Sequence, residues 1–132
     1  AAGKTVRALT QTSDLLPTIC DALDVELPPG THGDSLLSLA RGKRTGLRDF
    51  AISGFHGQSW SLRNEAWSLY LWLSDYPEVP WESRRANTRE LYHLAKDPCE
   101  TRDQAAEYGS IADAMELQLR QFIAGLRWEH PE

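Results

Sequence analysis

The stretch ELYHLAKDPCE, residues 90–100, predicts a short strand that ends in a tight turn. Its first part has a period of two, with Leu91 and His93 on one face and the residues next to them on the other, which is typical of a half-buried strand. Pro98 fixes its own φ and biases Asp97 away from the helical region, so the strand must give way to a loop. The stretch therefore predicts a strand, a turn and then a new element.

Three segments before this strand also have the composition of strands. In residues 67–73 the side chains at odd positions are apolar and share one face, which predicts a central strand. Only Glu65 and Ala66 separate this segment from the preceding one, so the two are expected to form an antiparallel hairpin. The full prediction is strands at residues 48–53, 58–64, 67–73 and 89–94, with a surface loop at 75–88.

The end of the chain predicts a long helix, in one or two pieces. Thr101 and Gln104 have the spacing of a capping box, and Ser110 restarts the pattern after Gly109. Apolar residues then recur at spacings of three and four: Tyr108, Ile111, Met115, Leu119, Phe122 and Leu126. The expected fold class is therefore α+β, a small antiparallel sheet of about four strands packed with a long C-terminal helix.

The first third of the chain has a helical pattern. Residues 5–10 indicate a weak strand or an extended lead-in, and a helix is expected over residues 14–24, with Asp14 as its N-cap. A short helix is expected over residues 35–41, with Asp34 as its N-cap and Gly42 as its stop. One face of the first helix carries Leu15, Leu16, Ile19, Cys20 and Leu23. This apolar face needs a larger surface to cover it than the weak strand can supply.

Three motifs occur in order along nearly the whole chain. They are DLLPT at residues 14–18, GDSL at residues 33–36 with Gly42 after it, and ELYHL followed by DPCE at residues 90–94 and 97–100. Each motif alone has little specificity. Together, in this order, they resemble the C-terminal end of the sulfatase family, within the alkaline phosphatase superfamily.

The resemblance implies a domain organisation and a partner. Residues 1–43 are expected to be the end of the α/β catalytic domain, and residues 44–132 the C-terminal subdomain. The expected partner is the N-terminal catalytic domain of a parent enzyme, in which the subdomain helps to wall the substrate cleft. His32, Ser68 and Asp103 stand where many members of the family have other residues. The ester hydrolysed by the parent, whether sulfate, phosphate or phosphonate, is therefore left open.

The resemblance also implies a chemistry that this chain does not carry. Sulfatases use a formylglycine, made within a C-x-P-S-R-type motif, beside a divalent cation such as calcium or magnesium. Neither Cys20 nor Cys99 is followed by the proline, serine and arginine of that motif. No spacing of acidic residues matches a calcium loop. We therefore expect no catalytic residue, no metal site and no cofactor in this chain, which alone should be inactive.

Three residues are candidate substrate contacts. His56 lies between two glycines on a strand connection, where an imidazole can project into a cleft. Arg63 could bind a sulfate or carboxylate through its planar guanidinium, although a surface ion pair with a nearby carboxylate is the alternative. Trp81, in the polar loop, could stack on a sugar ring. The alternative for His56 is that it is an ordinary loop residue. The alternative for Trp81 is that it lies in the core, as tryptophans usually do.

Composition limits the remaining function classes. The net charge of −5 over 132 residues disfavours a nucleic-acid partner. No apolar run is long enough to span a membrane, and any export signal would lie upstream, so the compartment stays open. The alternative function is a stand-alone module that binds a carbohydrate or a protein. A fragment, by contrast, is expected to expose the apolar face of the first helix and to form dimers through that face.

Overall fold

The structure of the chain is a computed structural model that describes residue 3 and residues 5–55, 57–75 and 86–126. The chain separates into two compact units, Ala1–Ala51 and Ile52–Glu132. The helices and strands are, in chain order, α1 (Leu15–Leu23), α2 (Leu37–Ala40), β1 (Ala51–Phe55), β2 (Ser59–Arg63), β3 (Trp67–Trp72), β4 (Thr88–His93) and α3 (Gly109–Gly125). The predicted α+β class, with a four-stranded antiparallel sheet and a long C-terminal helix, is confirmed.

The four strands form one sheet in the order β1-β2-β3-β4. Leu69 of β3 lies opposite Leu62 of β2 on one side and opposite Leu91 of β4 on the other, and both pairings are antiparallel. The β2–β3 hairpin is tight because the Asn64 side chain accepts the backbone N–H of Trp67 at 2.8 Å. Each strand thus pairs with its neighbour in sequence, as the close spacing of the segments predicts.

The core of the second unit lies between one face of the sheet and α3. Leu62, Leu69 and Leu91 of the sheet have no exposed surface, and neither has Leu119 of α3. Burying a leucine side chain contributes about 2 kcal/mol, so this group is the main source of stability in the unit. The helix buries Ala112, Met115 and Leu119. Of the predicted stripe, Met115 and Leu119 are therefore buried, whereas Phe122 is 42% exposed.

Aromatic and charged contacts fix α3 on the sheet. Near its two ends, Tyr108 lies 4.9 Å from Trp67 and Phe122 lies 6.3 Å from Trp60, measured between ring centroids. Arg89 of β4 pairs with two carboxylates of the helix, Asp113 at 2.6 Å and Glu116 at 2.8 Å. These hydrogen bonds raise the pKa of Arg89. The helix is therefore held at both ends and along one side.

The first unit contains α1 and α2. Helix α1 follows a 3-10 turn at Thr12–Asp14 and ends at Asp24, which has a left-handed backbone with φ of 55°. The Thr18 hydroxyl of α1 accepts the backbone N–H of Leu36 at 2.9 Å, which ties the start of α2 to α1. Gly42, with φ of 72°, follows the end of α2, as its position in the sequence predicts.

Two predictions about element starts are wrong for the same reason. The first strand begins at Ala51, not at residue 48, because the Arg48 side chain is bound to Asp14 and Asp34. Asp14 is the N-cap residue of α1, as predicted, although its carboxylate binds Arg48 and makes no side-chain cap of that helix. Asp34, which also binds Arg48, is not the N-cap of α2, because α2 begins only at Leu37 with Leu36 before it. An ion pair between distant residues has thus overridden two local signals.

Two further local predictions have different outcomes, the first decided between its two alternatives and the second wrong. Residues 5–10 form no strand, so the extended lead-in is the correct alternative for them. Thr101 and Gln104 make no capping box: Thr101 binds Asp97, while the backbone N–H of Gln104 binds the carbonyl of Leu91 at 2.8 Å. Gln104 is thereby hydrogen-bonded to β4 instead of starting a helix, and α3 begins only at Gly109.

Candidate functional site

The sheet face that points away from α3 is lined with polar and aromatic side chains. The strand pairing places Ser61 opposite Tyr70 and Arg63 opposite Ser68, whereas the leucines between them point to the helix. Because side chains alternate between the two faces, this polar face is continuous across the sheet. It carries Ser59, Ser61, Arg63, Ser68, Tyr70, Trp72, Glu90 and Tyr92.

A cavity of about 120 Å³ opens on this polar face, and we call it the serine cavity. The side chains of three serines line it, and the Ser53 and Ser61 hydroxyls lie 2.8 Å apart in a hydrogen bond. Ser59 is only 9% exposed. Phe55 and Tyr70 add aromatic surface to the lining. The cavity can therefore offer hydrogen bonds and apolar contact to the same small ligand.

Arg63 lies on the same face, in a cluster with Glu100 and Tyr70. Its Nη1 is 2.9 Å from one oxygen of Glu100, and the Tyr70 hydroxyl donates to the other oxygen at 2.9 Å. Burial, and next the hydrogen bond to the Glu100 carboxylate, raise the pKa of Tyr70. The positive charge of Arg63 is therefore compensated by a carboxylate that is itself doubly bound.

The DPCE turn places Glu100 over the sheet. Asp97 accepts the backbone N–H groups of Thr101 at 2.8 Å and Arg102 at 2.9 Å, and the Arg102 bond in particular lowers the pKa of Asp97. Glu100 has a φ of 54°, a backbone conformation that residues other than glycine rarely adopt. In this strained backbone conformation, the Glu100 carboxylate is held by its hydrogen bonds to Arg63 and Tyr70.

The first unit is built around the buried carboxylate of Asp14. Arg48 donates to it through both terminal nitrogens, at 2.6 and 2.5 Å, and the backbone N–H groups of Gln11 and Asp34 donate at 2.7 and 3.0 Å. The Arg48 hydrogen bonds above all lower the pKa of Asp14 to about 2. A carboxylate bound in this way is a structural group, because its acceptor positions are occupied.

Helix α1 leaves most of its apolar side chains in solvent. Leu15, Ile19 and Leu23, one turn apart, are 58%, 55% and 68% exposed, and we call them the α1 apolar face. The sequence predicts Cys20 on this same face, but Cys20 is buried on the other side of the helix, together with Pro17. The predicted exposure of Leu15, Ile19 and Leu23 is confirmed.

A separate apolar groove lies in the first unit. It has a volume of about 510 Å³ and is lined by residues of the extended lead-in and of α2, among them Val6, Ala8, Leu36 and Leu39. Among the described residues that line it there is no carboxylate, histidine or cysteine, so the groove resembles a packing surface more than a reactive site.

The structure places one of the three predicted site residues. Arg63 lies on the polar face, 47% exposed, and the alternative of an ion pair with a nearby carboxylate is what its geometry shows. His56 and Trp81, and most of the predicted loop at residues 75–88, lie outside the described residues. A substrate role for Arg63, His56 or Trp81 stays a prediction.

Sequence reasoning missed the partners that surround Arg63. Glu100 is visible as the last residue of the DPCE turn, but nothing local indicates that it reaches a strand 37 residues earlier. The serine cavity could have been found from the alternation in β2, which places Ser59 and Ser61 on the face opposite Trp60 and Leu62.

The described residues lack a metal-binding cluster. Within residues 5–55, 57–75 and 86–126, no three His, Cys, Asp or Glu side chains gather closely enough to hold a metal ion. Cys20 is buried and Cys99 exposed, and both are free thiols. No helix in the same part of the chain is long and apolar enough to cross a membrane.

The chain is similar in sequence to a known sulfatase. The chain is 26% identical over 122 residues to arylsulfatase K of Mus musculus, an alignment that covers 83% of this chain and 20% of the mouse protein. No family model matches the chain.

Solved structures extend this likeness to the fold. A 2-O GAG sulfatase superposes with a TM-score of 0.66 at 24% identity, covering 84% of this chain and 24% of its own. The phosphonate monoester hydrolase of Agrobacterium radiobacter superposes with a TM-score of 0.69 at 23% identity, covering 93% of this chain and 26% of its own. The chain thus spans about a fifth to a quarter of the length of these relatives.

Proposed function

We propose that the chain is the C-terminal region of a hydrolase of sulfate esters, because it is similar in sequence to one sulfatase and shares its fold with part of a solved sulfatase. Its role is to complete the fold of the parent enzyme and to help shape the substrate cleft. The likeness to a sulfatase over 83% of the chain but only 20% of the relative supports this role, since the rest of such an enzyme lies outside the matched region.

The observation that carries the proposal is the α1 apolar face. Leu15, Ile19 and Leu23 are each more than half exposed, in a unit whose own interior is small. Contiguous apolar surface of this kind usually marks a contact with another protein surface. We assign that contact to the N-terminal catalytic domain of the parent. Association of two copies of the chain through the same face is the competing use of it.

The catalytic chemistry belongs, in this proposal, to the N-terminal domain. Sulfatase relatives imply a divalent cation and a formylglycine in the parent, and the described residues of this chain do not fit either group. They contain no cluster of metal ligands, and Cys20 and Cys99 both lack the proline, serine and arginine of the modification motif. The chain contributes surface to the cleft and not the nucleophile.

His56, Arg63 and Trp81 are our candidates for contacts to the substrate. Arg63 would contribute through the exposed half of its side chain, because its Nη1 is bound to Glu100. His56 directly follows Phe55, a residue of the serine cavity, in the sequence, which supports it as a candidate.

The decisive experiment is to sequence the gene upstream of Ala1 and to express the longer protein. We expect an open reading frame with a C-x-P-S-R motif and turnover of 4-nitrophenyl sulfate by the purified product. A matched protein that ends at Lys43 should be inactive, because it lacks the whole sheet. A start codon directly before Ala1 would contradict the proposal.

Phosphate and phosphonate monoesters should be assayed in parallel with the sulfate ester. The likeness to a phosphonate monoester hydrolase covers 93% of the chain, and this region alone does not distinguish the two activities. If the longer protein hydrolysed a phosphonate ester but not the sulfate ester, the proposed substrate class would be wrong. The proposed role of the chain in completing the fold of the parent would still hold.

The serine cavity favours one alternative, a stand-alone carbohydrate-binding module without catalytic activity. Analytical ultracentrifugation of the chain separates the two functions. The fragment proposal predicts self-association at high concentration, which a triple change of Leu15, Ile19 and Leu23 to glutamine should abolish. Replacement of the exposed Leu117 of α3 by glutamine is the control. A strictly monomeric chain whose α1 amides are fully protected from exchange favours the module.

A further inference from the structure

Residues 5–10, which precede α1, form a straight segment of backbone that we call the lead-in segment. No helix, turn or bend occurs from Thr5 to Gln11. Gln11, directly after the segment, is extended, with φ of −132° and ψ of 159°. The lead-in segment therefore has the backbone course of a β-strand, although it pairs with no strand among the described residues.

The side chains of the lead-in segment alternate as those of a strand do. Val6, Ala8 and Thr10 line the apolar groove of the first unit, whereas the residues between them do not. A period of two is the geometry of a strand, in which successive side chains point to opposite sides. The other lining residues belong to α2 and its two ends, among them Leu36 and Leu39. One side of the segment is thus turned towards a helix, as a strand is in an α/β layer.

The backbone of the lead-in segment makes no hydrogen bond within the described part of the chain. None of the N–H and C=O groups of residues 5–10 is paired there with another backbone group or with a side chain. A row of unpaired groups along an extended backbone is a template to which another strand can add. The segment therefore has the free edges of a strand and lacks only a neighbouring strand.

Apolar side chains are exposed mainly in the unit that contains the lead-in segment. Seven of the ten large apolar side chains that are exposed among the described residues belong to the first unit, and Val6 is one of them, at 38%. A protein surface that covers Val6 also removes water from the backbone beside it. Backbone groups that lose their water must be paired, because an unpaired N–H or C=O group is destabilising. A strand of the covering surface supplies this pairing, since its groups have the matching spacing.

The partner that fits the lead-in segment is the N-terminal domain of the parent enzyme. The region matched by this chain makes up only 20% of mouse arylsulfatase K and 24% of the 2-O GAG sulfatase. Most of the surface that can cover the first unit therefore belongs to the rest of such a protein. A second copy of the chain is the competing partner, and the test below separates the two.

We propose that the lead-in segment is a strand of a β-sheet in the parent, and that its backbone pairs with a strand of the N-terminal domain. The chain is then joined to its parent by strand pairing as well as by the α1 apolar face. The inference rests on the proposed function in that a parent with an N-terminal domain exists, and not on the ester that the parent hydrolyses.

Amide hydrogen exchange tests the proposal by comparing the 132-residue chain with the longer protein. Mass spectrometry with fragmentation to single residues follows the amides of residues 5–10 in both proteins. In the 132-residue chain these amides should exchange at the rate of an unstructured peptide, because they make no hydrogen bond. In the longer protein, at least every second amide should exchange about 100-fold more slowly, as in a paired strand.

Two results of this comparison overturn the proposal. The first is fast exchange of residues 5–10 in the longer protein, which would leave the segment in water. The second is slow exchange in the 132-residue chain that becomes slower as its concentration rises, which would assign the strand to a second copy.

A matched pair of double variants shows whether the backbone makes the contact. The N–H groups of successive strand residues point to opposite edges, so Arg7→Pro with Ala8→Pro blocks both edges. Arg7→Ser with Ala8→Ser also loses the charge of Arg7 but keeps both N–H groups. In the longer protein, the proline pair should return the remaining amides of residues 5–10 to fast exchange, whereas the serine pair should leave them slow.

Equal exchange in the two double variants overturns the proposal. So does a loss of α1 protection caused by the proline pair alone in the 132-residue chain, because the segment would then act within the first unit. If the proline pair prevents folding of the longer protein, the comparison of the two unchanged proteins still decides.

Failure of this proposal is distinguishable from failure of the proposed function. Exchange reports strand pairing whether or not the longer protein hydrolyses an ester. Slow exchange of residues 5–10 without turnover of a sulfate ester keeps the strand and removes the sulfatase. Turnover with fast exchange does the reverse. Only a start codon directly before Ala1 would overturn both at once.

Discussion

The two units of the chain are stabilised in different ways. In the second unit, a layer of leucines that includes Leu69, Leu71 and Leu91 is buried beneath α3. In the first unit, the fully buried group at the centre is a carboxylate, Asp14, and most of the apolar side chains of α1 face solvent. The second unit therefore has its own hydrophobic core, whereas the first depends on an ion pair and on a surface that is not covered.

This difference indicates which unit can fold alone. A hydrophobic core supplies the main favourable term in folding, while a buried ion pair at best offsets the cost of removing two charges from water. We infer that the first unit is marginally stable in the isolated chain and gains stability where the α1 apolar face is covered. The predictions below test this contrast.

The largest effect is expected for Asp14→Ala. The change leaves Arg48, whose side chain is 14% exposed, with only the exposed Asp34 as a partner, and breaking a buried pair costs about 3–5 kcal/mol. Hydrogen exchange of the α1 amides should therefore become fast. Tryptophan fluorescence should follow the same urea unfolding curve as before, since all five tryptophans belong to the second unit.

Asp49→Asn is the matched control for this change, because Asp49 is an exposed aspartate of the same unit. Its α1 amides should exchange at the rate of the unchanged chain. A shift of the tryptophan curve by Asp14→Ala would show that the two units unfold together, and the contrast drawn above would then be wrong.

Leu69→Ala tests the hydrophobic core of the second unit. Leu69 has no exposed surface and lies between Leu62 and Leu91, so truncation should lower the free energy of unfolding by about 3 kcal/mol through lost burial and a cavity. Urea unfolding followed by tryptophan fluorescence measures this loss. Leu117→Ala, at a 60% exposed position of α3, should cost less than about 0.5 kcal/mol. Equal costs would exclude the proposed core.

Acid should destabilise the first unit before the second. The pKa of Asp14 is lowered from 3.8 to about 2 by the Arg48 hydrogen bonds, so the stability it contributes is present above pH 4 and is lost as the pH falls to about 2. The loss amounts to about 2 kcal/mol. Amide exchange of α1 at pH 5 and pH 2.5 measures it. The fluorescence of the second unit should change less, because Asp97 and Glu116, whose pKa values are also lowered, are more accessible to water.

The sequence was sufficient to predict the second unit because its signals are local. Alternation in residues 67–73 and the three-and-four spacing after Tyr108 each indicate one face of one element, and tertiary packing uses those same faces. The first unit was predicted less well. Its organising contact joins Asp14 to Arg48, 34 residues apart, and no local pattern indicates that two capping aspartates will share an arginine.

The site was predicted only in part, for a related reason. The guanidinium of Arg63 was visible as a candidate for anion binding, but its charge is compensated by Glu100, which arrives from a distant turn. Residue type alone therefore overstated the positive charge on the polar face. The serine cavity depends on three strands lying side by side, and this arrangement follows from the sheet rather than from any one motif.

The smallest effect is expected for Glu100→Gln, which removes the only carboxylate of the cluster formed by Arg63, Tyr70 and Glu100. The Arg63 pair is partly exposed, so its loss should cost only about 1 kcal/mol in urea unfolding, compared with the larger loss expected at Asp14. The pKa of Tyr70 should fall towards its ordinary value, because the hydrogen bond to the carboxylate helps to raise it. An NMR titration of the tyrosine ring carbons measures that shift. Glu107→Gln, at an exposed and longer pair with Arg102, is the control and should change neither quantity. If Glu100→Gln destabilised the second unit as strongly as Leu69→Ala, an ion pair would be as important there as in the first unit, and the contrast between the two units would not hold.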